Sequence, residues 1–279
     1  MSTVAVVTGA GGGIGTAVVP TLVKSGWAVV GVDLVDRPPD LDGLDGVEWV
    51  VGDVRDESTI SRALEAVARL GPLRGLVTAT LTEHRDALER LNHRALADVL
   101  DVQVAAAWAW SAAVVDAAGR TREADGNDGR TREADGDGGR TREADGNDGR
   151  TRAPNRDDVS IVHVSSVHAQ RAKPGMAAYA MGKAALDALV RSAAVEWGAS
   201  GVRCNAVLPG FVPVQRNAAR WSDPAAAAEL LGNHPLRRFV TAEDVAQVVA
   251  FLLGSESRAV TGVSLPVDGG MLATLPPWA

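Results

Sequence analysis

The chain has 279 residues, 46% of them hydrophobic, which is enough apolar material for the core of a globular protein. Its formal net charge of −7 and its pI near 5.3 argue against nucleic acid and anionic membrane surfaces as partners, because both need clustered positive charge. No basic segment precedes the first apolar run, so the amino terminus does not read as a signal peptide. We therefore expect a small-molecule partner.

The longest apolar stretch, 102–115, has only fourteen residues and includes Gln103 and Ser111. It is predicted to be too short and too polar to span a bilayer. The single cysteine, Cys204, cannot form an internal disulfide, which favours a reducing cytoplasm. We interpret Cys204 as a small buried residue at the start of a strand and expect a cytoplasmic protein without a membrane segment.

The chain begins with a β-branched run at 3–8, a glycine-rich turn from Gly9 to Gly15, and apolar positions at helical spacing in 16–25. This order predicts a strand, a turn and a helix. Glycines in such a turn let a ligand approach the backbone and the first N–H groups of the helix, which favours binding of a pyrophosphate. An ordinary loop is the alternative interpretation of the glycines alone.

A second predicted strand, 27–32, ends at Asp33. A dinucleotide-binding fold places an acid at this distance from the turn, where it binds the adenosine ribose. That acid would repel a 2′-phosphate, and it is followed by Leu34 and not by a basic residue. The sequence therefore favours NAD over NADP, with Arg37 as the nearby cation that could reverse the preference.

Strands and helices alternate along the rest of the chain. Predicted strands cover 47–51, 73–78, 159–165, 202–208 and 263–267, and predicted helices cover 56–69, 92–118, 177–197 and a segment capped by Thr241 and Asp244. Alternation of this kind predicts an α/β fold, a Rossmann-like doubly wound parallel sheet of about seven strands, in a single domain over 1–279. The irregular stretch 211–233 is predicted to cover a substrate.

A ten-residue unit, Arg-Thr-Arg-Glu-Ala-Asp-Gly-Asn-Asp-Gly, repeats three times with almost no change from Arg120 to Gly149 and ends at Arg152. It has no apolar side chain larger than alanine to bury, so it cannot offset the entropy of ordering. The insertion 120–152 is predicted to be a disordered surface loop before strand five. Calcium binding by its acidic residues and binding of a partner are the alternatives.

Tyr179 is the only tyrosine, and Lys183 is one of three lysines among 28 basic residues. Positions i and i+4 of a helix lie on one face, so the ammonium can sit beside the phenol. A nearby cation favours the phenolate, which predicts a lowered pKa for Tyr179, as a general acid/base at working pH needs. The alternative is an ordinary core tyrosine and a solvated lysine. Ser166 ends strand five, at the edge where open α/β sheets bind ligands.

Six motifs in the same order resemble the classical short-chain dehydrogenase/reductase superfamily, over the whole chain except the repeat. They are Thr8-Gly9-x-x-x-Gly13-x-Gly15, Asp53 after strand three, Ser166 ahead of Tyr179, Tyr179-x-x-x-Lys183, Asn205-x-x-x-Pro209-Gly210 and Val267-Asp268-Gly269-Gly270. The resemblance implies an oxidoreductase that transfers a hydride between a nicotinamide cofactor and a secondary alcohol or ketone.

The resemblance also implies residue roles. Tyr179 would be the acid/base, Ser166 would hydrogen-bond the same substrate oxygen, and Lys183 would lower the pKa of Tyr179 and hold the nicotinamide ribose. Gln103 would take the place of the helix Asn that completes the catalytic set. The implied cofactor-binding residues are Gly9, Gly13, Ile14, Gly15, Asp33, Asp53, Val54, Thr78, Tyr179, Lys183, Pro209, Gly210 and Val212, and no metal is implied.

Three positions depart from the family pattern. The segment Thr78-Ala79-Thr80-Leu81 replaces Asn-Asn-Ala-Gly after strand four, Gln103 replaces the helix Asn, and Val214 stands where a Thr often touches the nicotinamide amide. We expect altered substrate fit or slower proton transfer, because the groups for hydride and proton transfer are retained.

Two alternatives to an ordinary dehydrogenase stay open. One is a catalytically idle NAD-binding scaffold or regulatory subunit, and the other is an enzyme that holds its nicotinamide without exchange. Apolar residues of the covering segment, Trp221, Leu230 and Leu231, favour an apolar substrate. The resemblance further implies a homo-oligomer, a dimer or tetramer paired through the long helices and the C-terminal segment.

Overall fold

The protein is described by a computed structural model that covers residues 2–124 and 158–274. Seven strands form one sheet: Val4–Thr8 (β1), Ala28–Asp33 (β2), Val47–Val51 (β3), Leu73–Thr78 (β4), Val159–Val164 (β5), Val202–Pro209 (β6) and Ser264–Val267 (β7). All neighbours are parallel, in the order β3-β2-β1-β4-β5-β6-β7. The predicted Rossmann-like doubly wound sheet is therefore confirmed.

Helices cover both faces of the sheet. They are Gly15–Lys24 (α1), Glu57–Leu70 (α2), His93–Leu100 (α3), Ala106–Ala124 (α4), Ala177–Trp197 (α5), Pro224–Gly232 (α6) and Ala242–Leu253 (α7). The long helix predicted at 92–118 is interrupted by a π turn, Asp101–Ala105, between α3 and α4. The stretch predicted to be irregular contains a 3₁₀ segment, Gln215–Arg220, followed by α6.

Strand β1 is central and buried along its whole length. Val4 and Val6 pack into the cluster formed with α2, α4 and α5, whereas Ala5 and Val7 pack into the cluster formed with α1 and α7. A strand covered on both faces needs apolar residues at every position, which is why β1 is a continuous apolar run. The two clusters fix the sheet as a rigid base for the loops at its ends.

Two local predictions are confirmed. Thr241 and Asp244 form a reciprocal capping box at the start of α7, with N–H to oxygen distances of 3.0 and 3.1 Å. Cys204 is fully buried at the start of β6, and burial raises the pKa of its thiol to about 12.

The run His93–Arg120 is long and apolar enough, by length and composition alone, to cross a membrane. The sequence-based estimate was too short because it counted only 102–115, whereas the helical run extends further at both ends. In the fold, Val99, Trp110 and Val114 of this run are buried, and the indole N–H of Trp110 donates to the Val54 carbonyl at 2.9 Å. One face of the run is thus packed into the core of the α/β fold.

The insertion joins the end of α4 to the start of β5. Most of the repeat, residues 125–152, lies outside the described residues, so its predicted disorder stays a prediction. The predicted pairing into a homo-oligomer concerns contacts between chains and also stays a prediction.

Deleting 121–150 should leave the protein folded and active. Helix α4 runs back towards the amino ends of the strands, so the insertion is attached at the end of the sheet opposite the crevice described below. We expect the melting temperature to change by a few degrees at most and kcat/KM to stay within about twofold, since loop length costs little free energy. A loss of more than about tenfold, or unfolding, would show that the repeat is structural.

Candidate active site

The loops that follow the strands converge on one edge of the sheet. The strand order reverses between β1 and β4, and at this point a parallel α/β sheet opens a crevice beyond its carboxyl ends. The glycine turn, Asp33, Asp53, Ser166 and the segment from Pro209 onward all follow directly from strands at this edge.

Glycine is required in the turn by close backbone contacts. A Cβ on Gly9, which has φ +70°, would lie 2.6 Å from the carbonyl carbon of Ala79, and one on Gly13 would lie 2.4 Å from Cγ1 of Val214. The turn therefore packs directly against the segments that follow β4 and β6. Helix α1 begins at Gly15 with no acidic residue in its first turn, so the chain itself leaves the positive end of the helix dipole uncompensated.

Asp33 is fixed beside the glycine turn. Its carboxylate accepts the N–H of Gly11 at 2.8 Å and that of Leu34 at 2.7 Å. Arg37, the cation that could have reversed the cofactor preference, donates instead to the carbonyls of Leu41, Leu44 and Val47. The Arg37 guanidinium therefore holds the loop between β2 and β3 through backbone hydrogen bonds and does not pair with Asp33. The negative charge of Asp33 thus lies beside the glycine turn without neutralisation by Arg37.

Asp53 lies at the end of β3, where the N–H of Gly52 donates to the Asp33 carbonyl at 2.8 Å. Its carboxylate accepts from the Arg55 guanidinium at 3.0 and 3.1 Å, and this hydrogen bond is the main cause of a lowered pKa for Asp53. Arg55 also reaches Asp98 on α3, at 3.4 Å. Asp53 therefore anchors the loop after β3 in addition to lying beside the crevice.

Ser166, Tyr179 and Lys183 are brought together as the sequence predicts. Ser166 is buried and accepts the N–H of His168 at 3.1 Å, and its hydroxyl is close enough to the Tyr179 phenol to lower the pKa of that phenol. The ammonium of Lys183 lies 5.8 Å from the centre of the Tyr179 ring and donates to the Val164 carbonyl at 2.8 Å. The strand end and the first turns of α5 thus meet at one point.

The predicted direction of the Tyr179 pKa is wrong for the chain alone. Burial raises the pKa of the phenol, and the hydrogen bond from Ser166 opposes this shift only in part. Lys183 is not a cause of the shift, because its ammonium is directed at the backbone of β5. Burial lowers the pKa of Lys183 to about 8, against the opposing charge of Asp187.

Gln103 occupies the π turn between α3 and α4, a feature that often marks functional positions. Its amide N–H₂ donates to the Thr82 carbonyl at 2.6 Å, and its amide oxygen is buried with no hydrogen-bond partner among the described residues. A Cβ on Gly182 would lie 2.7 Å from that oxygen. Glycine at position 182, one residue before Lys183, therefore makes room for the longer side chain of Gln103.

Sequence reasoning missed His163, which lies on β5. Its ring is fully buried, and Nδ1 is 2.7 Å from the hydroxyl of Thr78, so the Thr78 side chain is turned into the protein. Burial lowers the pKa of His163 to about 3, with the charge of Lys183 as a further cause, and the ring is neutral at physiological pH. A single ionisable residue in an otherwise apolar strand was the signal that could have found it.

The last two sequence motifs hold each other in place. The side-chain amide of Asn205 donates to the Val260 carbonyl at 2.9 Å and accepts the N–H of Val263 at 3.2 Å. The N–H of Gly210 donates to the Val267 carbonyl at 3.0 Å, and a Cβ on Gly210 would lie 2.9 Å from Cα of Asp268. These contacts tie the segment after β6 to β7, and Val212, further along this segment, is buried in the cluster formed with α1 and α7.

Comparison with known proteins fits this geometry. A family model described as short chain dehydrogenase matches residues 3–126, and one described as enoyl-(acyl carrier protein) reductase matches 151–272. The L-xylulose reductase of Mesocricetus auratus is 33% identical over 274 residues, which is 97% of this chain and 96% of that enzyme. The chain belongs to the short-chain dehydrogenase/reductase superfamily.

Other relatives match over a shorter range. The L-xylulose reductase of Bos taurus is 44% identical over 114 residues, 41% of this chain, and the match spans about half, 47%, of that enzyme. Among solved structures, a protein of Beutenbergia cavernae provisionally named NAD(P)-dependent gluconate 5-dehydrogenase is 29% identical, with a TM-score of 0.77 over 98% of this chain and 97% of that one. That crystal structure contains NADP at low occupancy.

As a short-chain dehydrogenase/reductase, the protein is an NAD(P)-dependent oxidoreductase that acts on CH–OH groups of a small molecule. The predicted superfamily, fold and reaction class are confirmed. The relatives give no support to the idle scaffold.

The packing of Gln103 against Gly182 can be tested by a double-mutant cycle. Gly182→Ala should destabilise the protein by about 1–3 kcal/mol, because the new methyl group displaces a buried amide that is anchored to Thr82. Adding Gln103→Asn should recover much of this loss, giving a coupling energy of about 1 kcal/mol in urea unfolding.

Gly119→Ala is the matched control, since a Cβ at this position of α4 meets nothing within 4 Å. It should be neutral or should stabilise the helix by up to about 1 kcal/mol. Equal effects of the two Gly→Ala changes would contradict the close packing at position 182.

Proposed function

We propose that this protein interconverts a secondary alcohol and the corresponding ketone, with Tyr179 moving the proton and with NAD as the preferred cofactor. The observation that carries the proposal is the grouping of Tyr179 with Lys183 and Ser166: the Lys183 ammonium lies 5.8 Å from the centre of the Tyr179 ring, and the Ser166 hydroxyl lowers the pKa of the phenol against the effect of burial. This cluster lies at the edge of the sheet that also bears the glycine turn.

The residues present fit a nicotinamide dinucleotide. The glycines leave backbone without side chains at the start of α1, and Asp33 is held beside them by the N–H of Gly11. Bound nicotinamide supplies or accepts the hydride. The residues that would hold the cofactor are Gly9, Gly13, Ile14 and Gly15 at the pyrophosphate, Asp33 at the adenosine ribose, Asp53 and Val54 at the adenine, and Thr78, Pro209, Gly210 and Val212 at the nicotinamide end, with Tyr179 and Lys183 at its ribose.

Tyr179 carries its proton at neutral pH, because the pKa of a phenol is ordinarily about 10 and burial raises the pKa of this one further. In the reducing direction the phenol would donate this proton to the ketone oxygen, while the Ser166 hydroxyl hydrogen-bonds the same oxygen as negative charge develops on it. In the oxidising direction the phenol must first lose its proton. Positive charge on Lys183 favours that loss whenever its ammonium is turned towards the phenol.

Gln103 would occupy the proton-relay position. Its amide oxygen is buried next to Gly182 and has no partner in the part of the chain described. Leaving a buried acceptor unsatisfied costs free energy, so this oxygen is suited to accept from a water molecule beside Lys183. The amide function of the usual Asn is thereby retained at a position set by the π turn.

Tyr179→Phe tests the enzyme assignment, since it removes only the hydroxyl. Reduction of L-xylulose, 5-ketogluconate and cyclohexanone by NADH should be followed, the first two chosen from the names of the relatives and the third for the predicted apolar substrate. The best of these reactions should slow by about 10²–10⁴-fold in the variant, the range for a lost acid/base. NADH affinity, measured by fluorescence titration, should fall by no more than about tenfold, the scale of one lost hydrogen bond to the ribose.

The direction of pH dependence follows from the raised pKa. Ketone reduction needs the protonated phenol and should decline as the pH rises into the alkaline range, whereas alcohol oxidation should increase over the same range.

Two outcomes would favour the alternatives to an ordinary dehydrogenase. Tight NADH binding without turnover of any ketone by the wild-type protein would support a catalytically idle scaffold. Stoichiometric nicotinamide released on denaturation would indicate a cofactor held without exchange.

The proposed preference for NAD rests on Asp33 and on the hydrogen bonds that the Arg37 guanidinium donates to backbone carbonyls. The Asp33 carboxylate would repel a 2′-phosphate, and no free cation is supplied by Arg37 to compensate. Asp33→Ala should therefore shift the kcat/KM ratio towards NADP by about tenfold or more, the scale of one close charge interaction. Asp45→Ala, an exposed acid before β3, should leave the ratio unchanged. If Asp33→Ala also leaves it unchanged, another group sets the preference.

A further inference from the structure

Four cations surround the side of the crevice where Tyr179 lies. Arg85 follows β4, Lys173 follows β5, and Arg216 and Arg220 lie in the 3₁₀ segment after β6. We call this side of the crevice the mouth. The chain as a whole has a formal net charge of −7, so the positive charge of these four side chains is opposite in sign to the net charge of the protein. Such a local field selects small molecules by charge.

A single carboxylate, Glu83, is shared by two of these cations. Its Oε1 accepts from Arg216 at 2.7 Å and from Arg85 at 2.8 Å. The side chain of Glu83 is only 17% exposed, and the ion pair with Arg216 joins the loop after β4 to the 3₁₀ segment after β6. Glu83, together with Glu229, which acts on Lys173, can offset two of the four positive charges, which leaves an excess of positive charge at the mouth.

Arg220 and Lys173 form no ion pair within 4 Å in residues 2–124 and 158–274. The guanidinium of Arg220 lies over the Phe211 ring, 5.2 Å from its centre. Stacking of this kind uses the face of the guanidinium and leaves its N–H donors, which lie in the plane, free for an oxygen ligand.

These charges act on the groups around the reacting phenol. The ring of His168 packs edge-on to Tyr179 with centres 5.9 Å apart. After burial, which is the main cause, Lys173 and Arg220 both lower the pKa of His168, and Arg220 and Arg85 lower the pKa of Lys173. The mutual repulsion of these cations is opposed only in part, by Glu83 acting on His168 and by Glu229 acting on Lys173.

We propose that the substrate bears a carboxylate, which Arg220 and Lys173 bind while its hydroxyl or keto group meets Tyr179. The inference rests on the proposed function and names the substrate class of the same site. A carboxylate relieves the repulsion between the cations and matches the planar donors of arginine. The ion pair between Glu83 and Arg216 holds the 3₁₀ segment that carries Arg220, and Arg220 is close enough to His168 and Lys173 to affect the pKa of both.

A carboxylate-bearing substrate differs from the apolar one expected from Trp221, Leu230 and Leu231. The indole N–H of Trp221 donates to Oδ1 of Asn217 at 2.8 Å, so this side chain is used to hold the covering segment together. The exposed Arg216 of the same segment is close enough to Tyr179 to lower the pKa of its phenol.

Arg220→Gln tests the inference through a split between substrates. For 5-ketogluconate, KM should rise about tenfold or more while kcat changes little, since a charge-assisted hydrogen bond to the non-reacting end is lost. For uncharged L-xylulose, KM should not change. Arg258→Gln is the matched control, because it makes the same charge change on an exposed residue after α7, away from the crevice. Equal losses for both substrates would overturn the inference.

A binding measurement separates this inference from the proposed function. Cyclohexanecarboxylate should raise the melting temperature of the NADH-bound protein, and cyclohexanecarboxamide, its uncharged counterpart, should not. The shift should shrink with added salt and vanish in Arg220→Gln but persist in Tyr179→Phe. Equal shifts with both compounds would contradict a carboxylate site. Stronger stabilisation by inorganic phosphate would assign the cations to a phosphate ester instead, and the carboxylate would be wrong.

Discussion

The buried ammonium of Lys183 is the interaction on which the active-site geometry depends. Taking a charge out of water is costly unless it is hydrogen-bonded, and Lys183 meets this requirement by donating to the Val164 carbonyl at 2.8 Å. That bond docks the first turns of α5 onto the end of β5. Because Tyr179 is one turn earlier on the same helix and Ser166 is two residues further along the strand, the same contact brings their hydroxyls together. The chemistry of the site is thus a consequence of how one helix is attached to the sheet.

The departures from the family pattern are linked to compensating changes elsewhere in the fold. Gln103 is longer than the usual Asn, and the glycine at position 182 provides the space that it needs. Thr78, where an Asn is common, directs its hydroxyl to the buried ring of His163 and so satisfies a polar group inside the sheet. These two departures preserve packing or hydrogen bonding, which explains how the chain can diverge at Gln103 and Thr78 while retaining Ser166 and Tyr179.

Charge divides the crevice into two ends. At the adenosine end, Asp33 is fixed by backbone N–H groups and Arg37 is bound to carbonyls, so the local charge is negative. At the substrate end, Arg85, Arg216 and Arg220 outnumber Glu83. Opposite signs at the two ends orient an asymmetric pair of ligands, because a 2′-phosphate on the adenosine ribose would be repelled from one end and an anionic substrate would be attracted to the other.

The sequence by itself determined the order of strands and helices, the position of the glycine turn and the grouping of Ser166, Tyr179 and Lys183. These features depend on short-range periodicity and on residue spacing, which can be read along the chain. The tertiary structure alone decided the π turn at Gln103 and the burial of His163 against Thr78. It also decided the hydrogen bonds from Arg37 to backbone carbonyls and the cluster of cations beside Tyr179. It also reversed the expected shift in the pKa of Tyr179, because burial and the direction of the Lys183 ammonium depend on contacts between segments far apart in sequence.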